Sequence, residues 1–214
     1  MKLTSEQMRL YAVTDRAWAA DDDAFFRQIE AAIDGGASIV QLREKQLEDA
    51  HFLEEATRFV ALCRQKGVVS IINDNVEIAV QTGADGVHVG QEDLEAGRAR
   101  ALLGHGKLIG VSAHTVEEAR RAVAAGCDYL GTGAAFVSDT KSEAKPISHD
   151  TIRAITAAVE VPVVAIGGIT RENIRELGGC GLSGVAVVSA LFGQRDVREA
   201  AAELKHLSEE ICQK

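Results

Sequence analysis

Residues 83–93 read Gly-Ala-Asp-Gly-Val-His-Val-Gly-Gln-Glu-Asp, and this stretch decides the fold. A small turn sequence, Gly83–Asp85, leads into a short apolar run, Gly86–Val89, and polar residues follow that run directly. Short apolar runs bounded by turn residues are typical of buried parallel strands. Similar turn sequences precede two other apolar runs, at Gly36–Ser38 and Gly126–Asp128. The repeat therefore predicts a chain built from strand–helix units.

Eight apolar runs recur along the 214 residues, and each predicts a strand. They are Leu10–Thr14, Ile39–Leu42, Ser70–Ile72, Gly86–Val89, Leu108–Val111, Tyr129–Gly131, Val163–Ile166 and Gly184–Val188. Between them, apolar side chains recur with helical spacing. The predicted helices are Ala24–Asp34, Ala50–Lys66, Glu77–Thr82, Leu94–Leu103, Val116–Ala125, Asp150–Val159, Arg171–Leu177 and Val197–Ile211. Glycines of positive φ are expected to end five of these helices, at Gly35, Gly67, Gly83, Gly104 and Gly126.

Eight strand–helix units in about 200 residues favour a closed (β/α)8 barrel, the α/β fold known as the TIM barrel. The alternative is an open doubly wound sheet, which usually has fewer strands and a Gly-rich loop after the first one. Here the first strand ends in Thr14-Asp15-Arg16, without such a loop. No linker or low-complexity segment divides the chain, so we expect a single domain over residues 1–214.

Charge and composition exclude several classes of protein. Lys and Arg number 23 and Asp and Glu number 32, so the net charge is −9, which argues against nucleic-acid binding. Apolar runs such as Val161–Ile166 are far shorter than the ~20 residues of a membrane-spanning helix. Met1–Gln7 is polar and has no signal-peptide core, so we expect a cytoplasmic protein. The four cysteines form no Cys-x-x-Cys pair, which favours reduced thiols over a metal or disulfide role.

Polar residues follow the C-terminal ends of the predicted strands, where barrel enzymes have their active sites. Asp74 and Asp93 end neighbouring strands, and two carboxylates suit Mg2+, which takes waters and phosphate oxygens as its other ligands. The alternative is that both are helix N-caps. Arg43, Lys45 and Lys141 are cations suited to phosphate oxygens, although a single lysine is usually a solvated surface group. Spacing alone does not distinguish a phosphate-binding lysine from one that forms a Schiff base with a substrate carbonyl. Lys45 and Lys141 are therefore also candidates for a Schiff-base residue.

Two further strand ends predict a phosphate site. Gly167-Gly168 ends the seventh strand and Val188-Ser189 ends the eighth. In many barrels these two ends hold a phosphate, because glycine permits close approach and backbone N–H groups bind the anion. A plain tight turn is the alternative for the glycine pair. Together with the cations, the pattern predicts an enzyme that handles two phosphorylated groups.

Several ordered motifs resemble those of the thiamine-phosphate synthase family, and the resemblance spans residues 10–192. They are Gln41–Lys45 (QLREK), Ile72–Asn75, Asp85–Asp93, Gly110–Ser112, Asp139–Lys141 and Ala165–Ile169. The family joins 4-amino-5-hydroxymethyl-2-methylpyrimidine pyrophosphate to a thiazole phosphate, carboxylated in many bacteria, and releases pyrophosphate. The resemblance therefore implies a Mg2+-assisted transferase of thiamine biosynthesis with small-molecule substrates. The sequence does not determine the oligomeric state of the protein, and a homo-oligomer is one of the alternatives.

The resemblance also implies the site residues. Those for the pyrimidine pyrophosphate are Gln41, Leu42, Arg43, Glu44, Lys45, Asn73, Ser112 and Lys141, among which Arg43, Lys45, Ser112 and Lys141 are implied to be catalytic. Those for the thiazole phosphate are Ser138, Asp139, Thr140, Gly168, Val188 and Ser189. Asp74 and Asp93 are implied to hold Mg2+. An electron-rich aminopyrimidine stabilises a methylene cation, so we expect a dissociative step in which the enzyme positions both rings and excludes water.

The chain departs from the family at two places. Asn75 stands where the family often has Arg, and the loop Gly133–Lys141 lacks two prolines common in the family. The whole loop, Thr132–Pro146, is long and carries residues for both half-sites, so we predict a lid. The closest rival is a related thiazole tautomerase, whose active-site His corresponds to Ala134. A catalytically inactive ligand-binding barrel is the other rival. His88 is predicted to be a packed core residue.

Overall fold

Eight parallel strands close into a barrel in chain order, and the last strand pairs with the first. The computed structural model describes residues 3–45, 47–90, 96–137 and 145–212. The strands are β1 (Leu10–Val13), β2 (Ile39–Leu42), β3 (Val69–Asn73), β4 (Gly86–Val89), β5 (Leu108–Ala113), β6 (Tyr129–Gly133), β7 (Val163–Ile166) and β8 (Gly184–Val187). The predicted (β/α)8 barrel is therefore confirmed, with strand ends that differ by at most two residues.

Helices surround the barrel and follow most of the predicted ranges. They are α1 (Asp22–Asp34), α2 (Asp49–Lys66), α3 (Val76–Thr82), α4 (Ala96–Leu103), α5 (Val116–Ala124), α6 (His149–Ala157), α7 (Ser189–Phe192) and α8 (Val197–Ile211). Among the described residues, two short 3-10 helices lie at Arg16–Trp18 and Ile174–Leu177. The predicted first residues of α4, Leu94 and Glu95, lie outside the described residues. The single-turn helix α7, directly after β8, was not expected.

The helix predicted over residues 171–177 was wrong in type, because only a four-residue 3-10 helix forms there. The segment ends early because Gly178, with a ψ of 136°, leaves the helical backbone directly after Leu177. Before it, Asn173 Oδ1 accepts from the backbone N–H of Thr170 at 2.8 Å, and Asn173 Nδ2 donates to the carbonyl oxygen of Gly168 at 2.8 Å. These two bonds hold the residues between β7 and the 3-10 helix in a turn.

Apolar side chains form two layers, because alternate residues of a strand face opposite sides of the barrel wall. Outward-facing residues such as Val40 and Ile72 pack against helix residues such as Phe25 and Phe59. The inner layer consists of Met8, Tyr11, Val13, Ile39, Val69, Ile71, Leu108, Tyr129, Val164 and Ala186. This inner layer fills the barrel below the C-terminal ends of the strands, and a cleft remains at those ends.

Four of the five predicted helix-ending glycines have positive φ, namely Gly67, Gly83, Gly104 and Gly126. The prediction for Gly35 was wrong, because its φ is −82° and Gly36 takes the positive φ of 114° instead. Gly35 has a different role in packing. A Cβ at this position would overlap the carbonyl oxygen of Arg198, so the glycine allows α8 to lie close to the end of α1.

Within the described ranges, no helix is both long enough and apolar enough to cross a membrane. The thiols of Cys63, Cys127, Cys180 and Cys212 are free, and the first three are buried. Burial raises the pKa of Cys63 and of Cys127 to about 12, so both thiols stay protonated at neutral pH.

Candidate active site

A cleft of about 160 Å3 opens inside the barrel at the C-terminal ends of the strands. One part of its lining is polar and consists of Tyr11, Gln41, Arg43, Asn73, His88, Ser112 and His114. The part formed by β6 to β8 is apolar or glycine-rich, and it includes Val164, Ile166, Gly167, Gly168, Ala186, Val188 and Ser189. The cleft therefore combines two regions of different chemistry.

Seven of the predicted site residues line this cleft, namely Gln41, Arg43, Asn73, Ser112, Gly168, Val188 and Ser189. Four others are described but do not line it: Leu42, Glu44, Lys45 and Asp74. The remaining five, Asp93, Ser138, Asp139, Thr140 and Lys141, lie outside the described residues. Seven of the predicted residues therefore converge on one cleft, and the roles of all of them stay predictions.

Two side chains of the Gln41–Lys45 motif point away from the cleft. The Leu42 side chain is fully buried in the layer between the barrel wall and the helices, so only its backbone can contact a ligand. Glu44 pairs with Arg16, whose Nε lies 3.3 Å from Glu44 Oε1 and whose guanidinium also contacts Glu55. Burial raises the pKa of the Glu44 carboxyl, and the charge of Arg16 opposes that rise. Glu44 therefore anchors the loop after β2.

Arg43 is the cation of this motif that lines the cleft. Its backbone N–H donates to Thr14 Oγ1 at 3.0 Å, which fixes the start of the loop against the end of β1. Its guanidinium Nη1 lies 3.9 Å from Asp15 Oδ2, which is too long for a hydrogen bond. This loose ion pair steadies the side chain without saturating its five N–H donors. Lys45 is exposed at the rim.

Asp74 occupies an unusual backbone conformation at the end of β3, with a φ of 62°. Its N–H donates to the carbonyl oxygen of His88 at 2.8 Å, and its Oδ2 accepts from Asn73 Nδ2 at 2.5 Å. The alternative that Asp74 caps a helix was wrong, because Asn75 caps α3 by accepting from the N–H of Ile78. Asp74 is thus held at the rim as an exposed carboxylate.

The donor set at this rim fits a metal that is shared with a substrate. Among the described residues, no group of three His, Cys, Asp or Glu side chains is arranged to hold a metal ion. Asp74 supplies one hard oxygen donor whose position Asn73 fixes. Mg2+ commonly binds one or two carboxylates and takes its remaining ligands from waters and phosphates. The described residues therefore fit such a site, although its predicted second ligand, Asp93, lies beyond them.

Beneath the cleft, a chain of hydrogen bonds crosses the barrel through Gln41, Tyr11, Tyr129, His88 and Ser112, which we call the floor chain. Gln41 Nε2 donates to Tyr11 Oη at 2.6 Å, and Tyr11 Oη lies 2.8 Å from Tyr129 Oη. Tyr129 Oη lies 3.2 Å from His88 Nδ1, and His88 Nε2 lies 3.1 Å from Ser112 Oγ. Burial raises the pKa of both tyrosines above their usual range, so both phenols stay protonated.

The sequence pattern predicts no role for either tyrosine and only the packing role of His88. His88 does pack against Tyr129, with ring centroids 5.6 Å apart, but it also lines the cleft and contacts Ser112. The available signal was the alternation along each strand, which places Gln41 and Ser112 on inward-facing positions. A contact between opposite walls also requires the strand register, which spacing along the sequence does not contain.

The glycine pair after β7 packs against the loop that follows β6. Gly167 and Gly168 have φ values of 97° and 65°, which confirms the tight turn. A Cβ on Gly168 would lie 2.8 Å from the carbonyl oxygen of Phe136 and would overlap that of Val137. The N–H of Phe136 also donates to the carbonyl oxygen of Gly167 at 3.0 Å. Close approach of a phosphate to this turn stays a prediction.

Several known proteins are similar to this chain over almost its whole length. Residues 10–191 match the family model described as "Thiamine monophosphate synthase". The thiamine-phosphate synthase of Alkaliphilus oremlandii (strain OhILAs) is 45% identical over 196 residues, covering 92% of this chain and 93% of that protein. That of Chloroflexus aurantiacus is 47% identical over 200 residues, covering 93% and 92%. The solved thiamine phosphate pyrophosphorylase of Pyrococcus furiosus superposes with a TM-score of 0.88 at 34% identity, covering 98% and 99%.

Proposed function

The chain belongs to the thiamine monophosphate synthase family, transferases of thiamine biosynthesis, and we propose that it joins an aminopyrimidine pyrophosphate to a thiazole phosphate. The pyrimidine substrate is 4-amino-5-hydroxymethyl-2-methylpyrimidine pyrophosphate, and the products are thiamine phosphate and pyrophosphate. One observation carries the proposal: a single cleft combines a polar region suited to the pyrimidine and its pyrophosphate with an apolar, glycine-rich region suited to the thiazole.

Gln41 is the residue best placed to select the aminopyrimidine ring. Gln41 is 4% exposed and lines the cleft, and its side-chain amide offers both a donor and an acceptor. An aminopyrimidine presents the complementary pair, an exocyclic amine and a ring nitrogen. Since an unpaired polar group at a buried position is costly, a ring without this pattern would bind poorly.

Arg43, Asn73 and Ser112 surround the proposed position of the pyrophosphate. Arg43 offers a planar fork of N–H donors, and Asn73 holds the Asp74 carboxylate beside it. Asp74 and Asp93 would hold Mg2+, which when bound neutralises negative charge on the leaving pyrophosphate. Lys141 is expected to add a further cation. These groups lower the barrier by stabilising charge that develops as the leaving group departs.

The thiazole would bind on the opposite side, over Val164, Ile166 and Ala186, with its phosphate near Gly168 and Ser189. In the proposed reaction the bond between the methylene carbon and the pyrophosphate oxygen breaks, and the ring nitrogen of the thiazole forms the new bond to that carbon. The aminopyrimidine stabilises the methylene cation between these events. The apolar wall excludes water, which would otherwise capture the cation.

The test is a coupling assay with both substrates. We expect thiamine phosphate and pyrophosphate in equal amounts, and only when both substrates and Mg2+ are present. Addition of a chelator is the control for the metal, and omission of the thiazole phosphate is the control for hydrolysis. Pyrophosphate release that does not need the thiazole would contradict the proposal. Conversion of the thiazole phosphate alone would indicate the tautomerase, although Ala134 at the cleft supplies no imidazole.

A further inference from the structure

Arg16, in the short helix after β1, links three separate elements of the barrel. Its Nε lies 3.3 Å from Oε1 of Glu44, in the segment after β2, and its Nη2 contacts Glu55 on α2. Its Nη1 lies 2.5 Å from Asp22 Oδ1 on α1. The guanidinium also lies over the Phe25 ring, 4.7 Å from the ring centroid. One side chain therefore ties the segment after β2 to both neighbouring helices.

The two glutamates depend on Arg16 for their charge balance. The side chains of Glu44 and Glu55 are only 5% and 8% exposed. Glu55 Oε1 is buried and has no hydrogen-bond partner among the described residues, whereas its other oxygen contacts Arg16. An unpaired carboxylate at such a position would be costly. Because the two carboxylates contact different nitrogens of one planar group, Arg16 holds Glu44 in a fixed position relative to α2.

Three successive residues at the end of β1 contact two successive residues after β2. Thr14 Oγ1 accepts from the backbone N–H of Arg43 at 3.0 Å. Asp15 Oδ2 lies 3.9 Å from Arg43 Nη1, and the other oxygen of Asp15 caps the 3-10 helix, which fixes its carboxylate. Arg16 then binds Glu44. The chain is thus held against β1 on both sides of the peptide bond between Arg43 and Glu44.

These contacts bear on Arg43, which lines the cleft and is assigned to the pyrophosphate by the proposed function. An unrestrained arginine side chain loses rotamer freedom when it binds an anion, and this loss weakens binding. Anchors on both sides of Arg43 reduce the loss, because the backbone that carries the side chain is already fixed. The contact with Asp15 is too long for a hydrogen bond, so it does not occupy the guanidinium donors.

We propose that Arg16 is a positioning residue for pyrophosphate binding, because it fixes Glu44 and thereby sets the position from which Arg43 reaches the pyrophosphate. Arg16 acts through Arg43 and does not touch the substrate itself. The role requires the planar fork of arginine, since Nε and Nη2 bind carboxylates on two different segments at once. Lysine would keep the positive charge but offers a single nitrogen on a flexible stem.

The first test is calorimetry with inorganic pyrophosphate and Mg2+. In Arg16→Lys the affinity should fall by roughly two- to tenfold, the cost of ordering one long side chain on binding. The matched control is Arg58→Lys, because Arg58 also joins α2 to α1. Its Nη2 lies 3.1 Å from Asp23 Oδ1, and its guanidinium lies 3.9 Å from the centroid of the Phe26 ring. Neither partner belongs to the segment after β2, so this control should keep the pyrophosphate affinity of the unmodified protein.

A second comparison tests whether Arg16 acts through Arg43. In Arg43→Gln the guanidinium that Arg16 positions is absent, so adding Arg16→Lys should weaken pyrophosphate binding no further. A residue with only a general structural role would lower the affinity by the same factor in both backgrounds, and that result would overturn the proposal. An unchanged affinity in Arg16→Lys alone would also overturn it, as would an equal loss in Arg58→Lys.

Glu44→Ala keeps the test valid if Arg16→Lys does not fold. It removes the link to the segment after β2 while Arg16 retains Glu55 and Asp22, and it should weaken pyrophosphate binding by a similar factor. An unchanged affinity in folded Glu44→Ala would overturn the proposal.

The inference rests on the proposed function, but the two fail differently. If the function is wrong, the unmodified protein forms no thiamine phosphate from the two substrates. If Arg16 has no positioning role, the unmodified protein is an active enzyme, and Arg16→Lys binds pyrophosphate equally well.

Discussion

At the scale of single residues, Asp74 combines a proposed function with a backbone conformation that favours glycine. Its φ of 62° lies in the left-handed region, where a Cβ is unfavourable. Asp74→Gly and Asp74→Ala both remove the carboxylate and differ only in this backbone preference. We expect the Gly variant to be more stable than the Ala variant by about 1 kcal/mol in urea unfolding, and both to lose turnover at limiting Mg2+. Equal stabilities would show that the conformation relaxes when the carboxylate is removed.

Glu44 gives a prediction about pH at the same scale. Burial raises the pKa of this carboxyl in the folded protein, so its contribution to stability is greatest below its unfolded pKa and declines as pH rises through the folded pKa. Glu44→Gln does not ionise, so its stability relative to the unmodified protein should increase between acidic and neutral pH. Urea unfolding at both pH values measures this change. A relative stability that falls over this interval would mean that Arg16 stabilises the ionised form more than burial destabilises it.

At the scale of elements, the turn after β7 and the loop after β6 act as one unit. Gly168→Ala should push the backbone of residues 136–137 away from the turn, lower stability and raise the KM for the thiazole phosphate. Gly179→Ala is the matched control, because its φ of 74° imposes the same backbone cost of about 1 kcal/mol but a Cβ there meets nothing within 4 Å. If the two variants changed KM equally, contact between Gly168 and the loop after β6 would not be the cause of the change in KM.

The element scale also shows what the sequence could predict. The predicted ends of the strands lie within two residues of the observed ends, because a buried parallel strand appears in the sequence as a run of apolar residues between turn residues. The apolar spacing over residues 171–177 predicts a helix, but Gly178 leaves the helical backbone directly after Leu177, so only a four-residue 3-10 helix forms. Contacts between distant segments, such as Arg16 with Glu44 or Tyr11 with Tyr129, depend on the closure of the barrel. Local spacing cannot reveal them.

At the scale of the whole molecule, stability depends on the seam where β8 meets β1. A Cβ on Gly184 would overlap the carbonyl oxygen of Met8, just before β1 begins. Gly184→Ala should therefore destabilise the barrel by roughly 1–3 kcal/mol, the usual cost of overpacking. Gly106→Ala is the control, because a Cβ there meets nothing within 4 Å, and it should change stability by less than about 0.5 kcal/mol. Urea unfolding measures the free energy of unfolding of both variants. Equal changes would show that the backbone between β8 and β1 can move apart to accept the extra methyl group.

The glycines beneath the cleft also restrict how such a barrel can evolve. Because the Tyr129 ring and His88 Nδ1 occupy the space where a Cβ of Gly110 would be, position 110 can gain a side chain only after one of those rings has been replaced by something smaller. In descendants of this chain, positions 88, 110 and 129 should therefore change in a fixed order, with the loss of a ring first. A lineage that keeps both His88 and Tyr129 should therefore keep a glycine at position 110 as well.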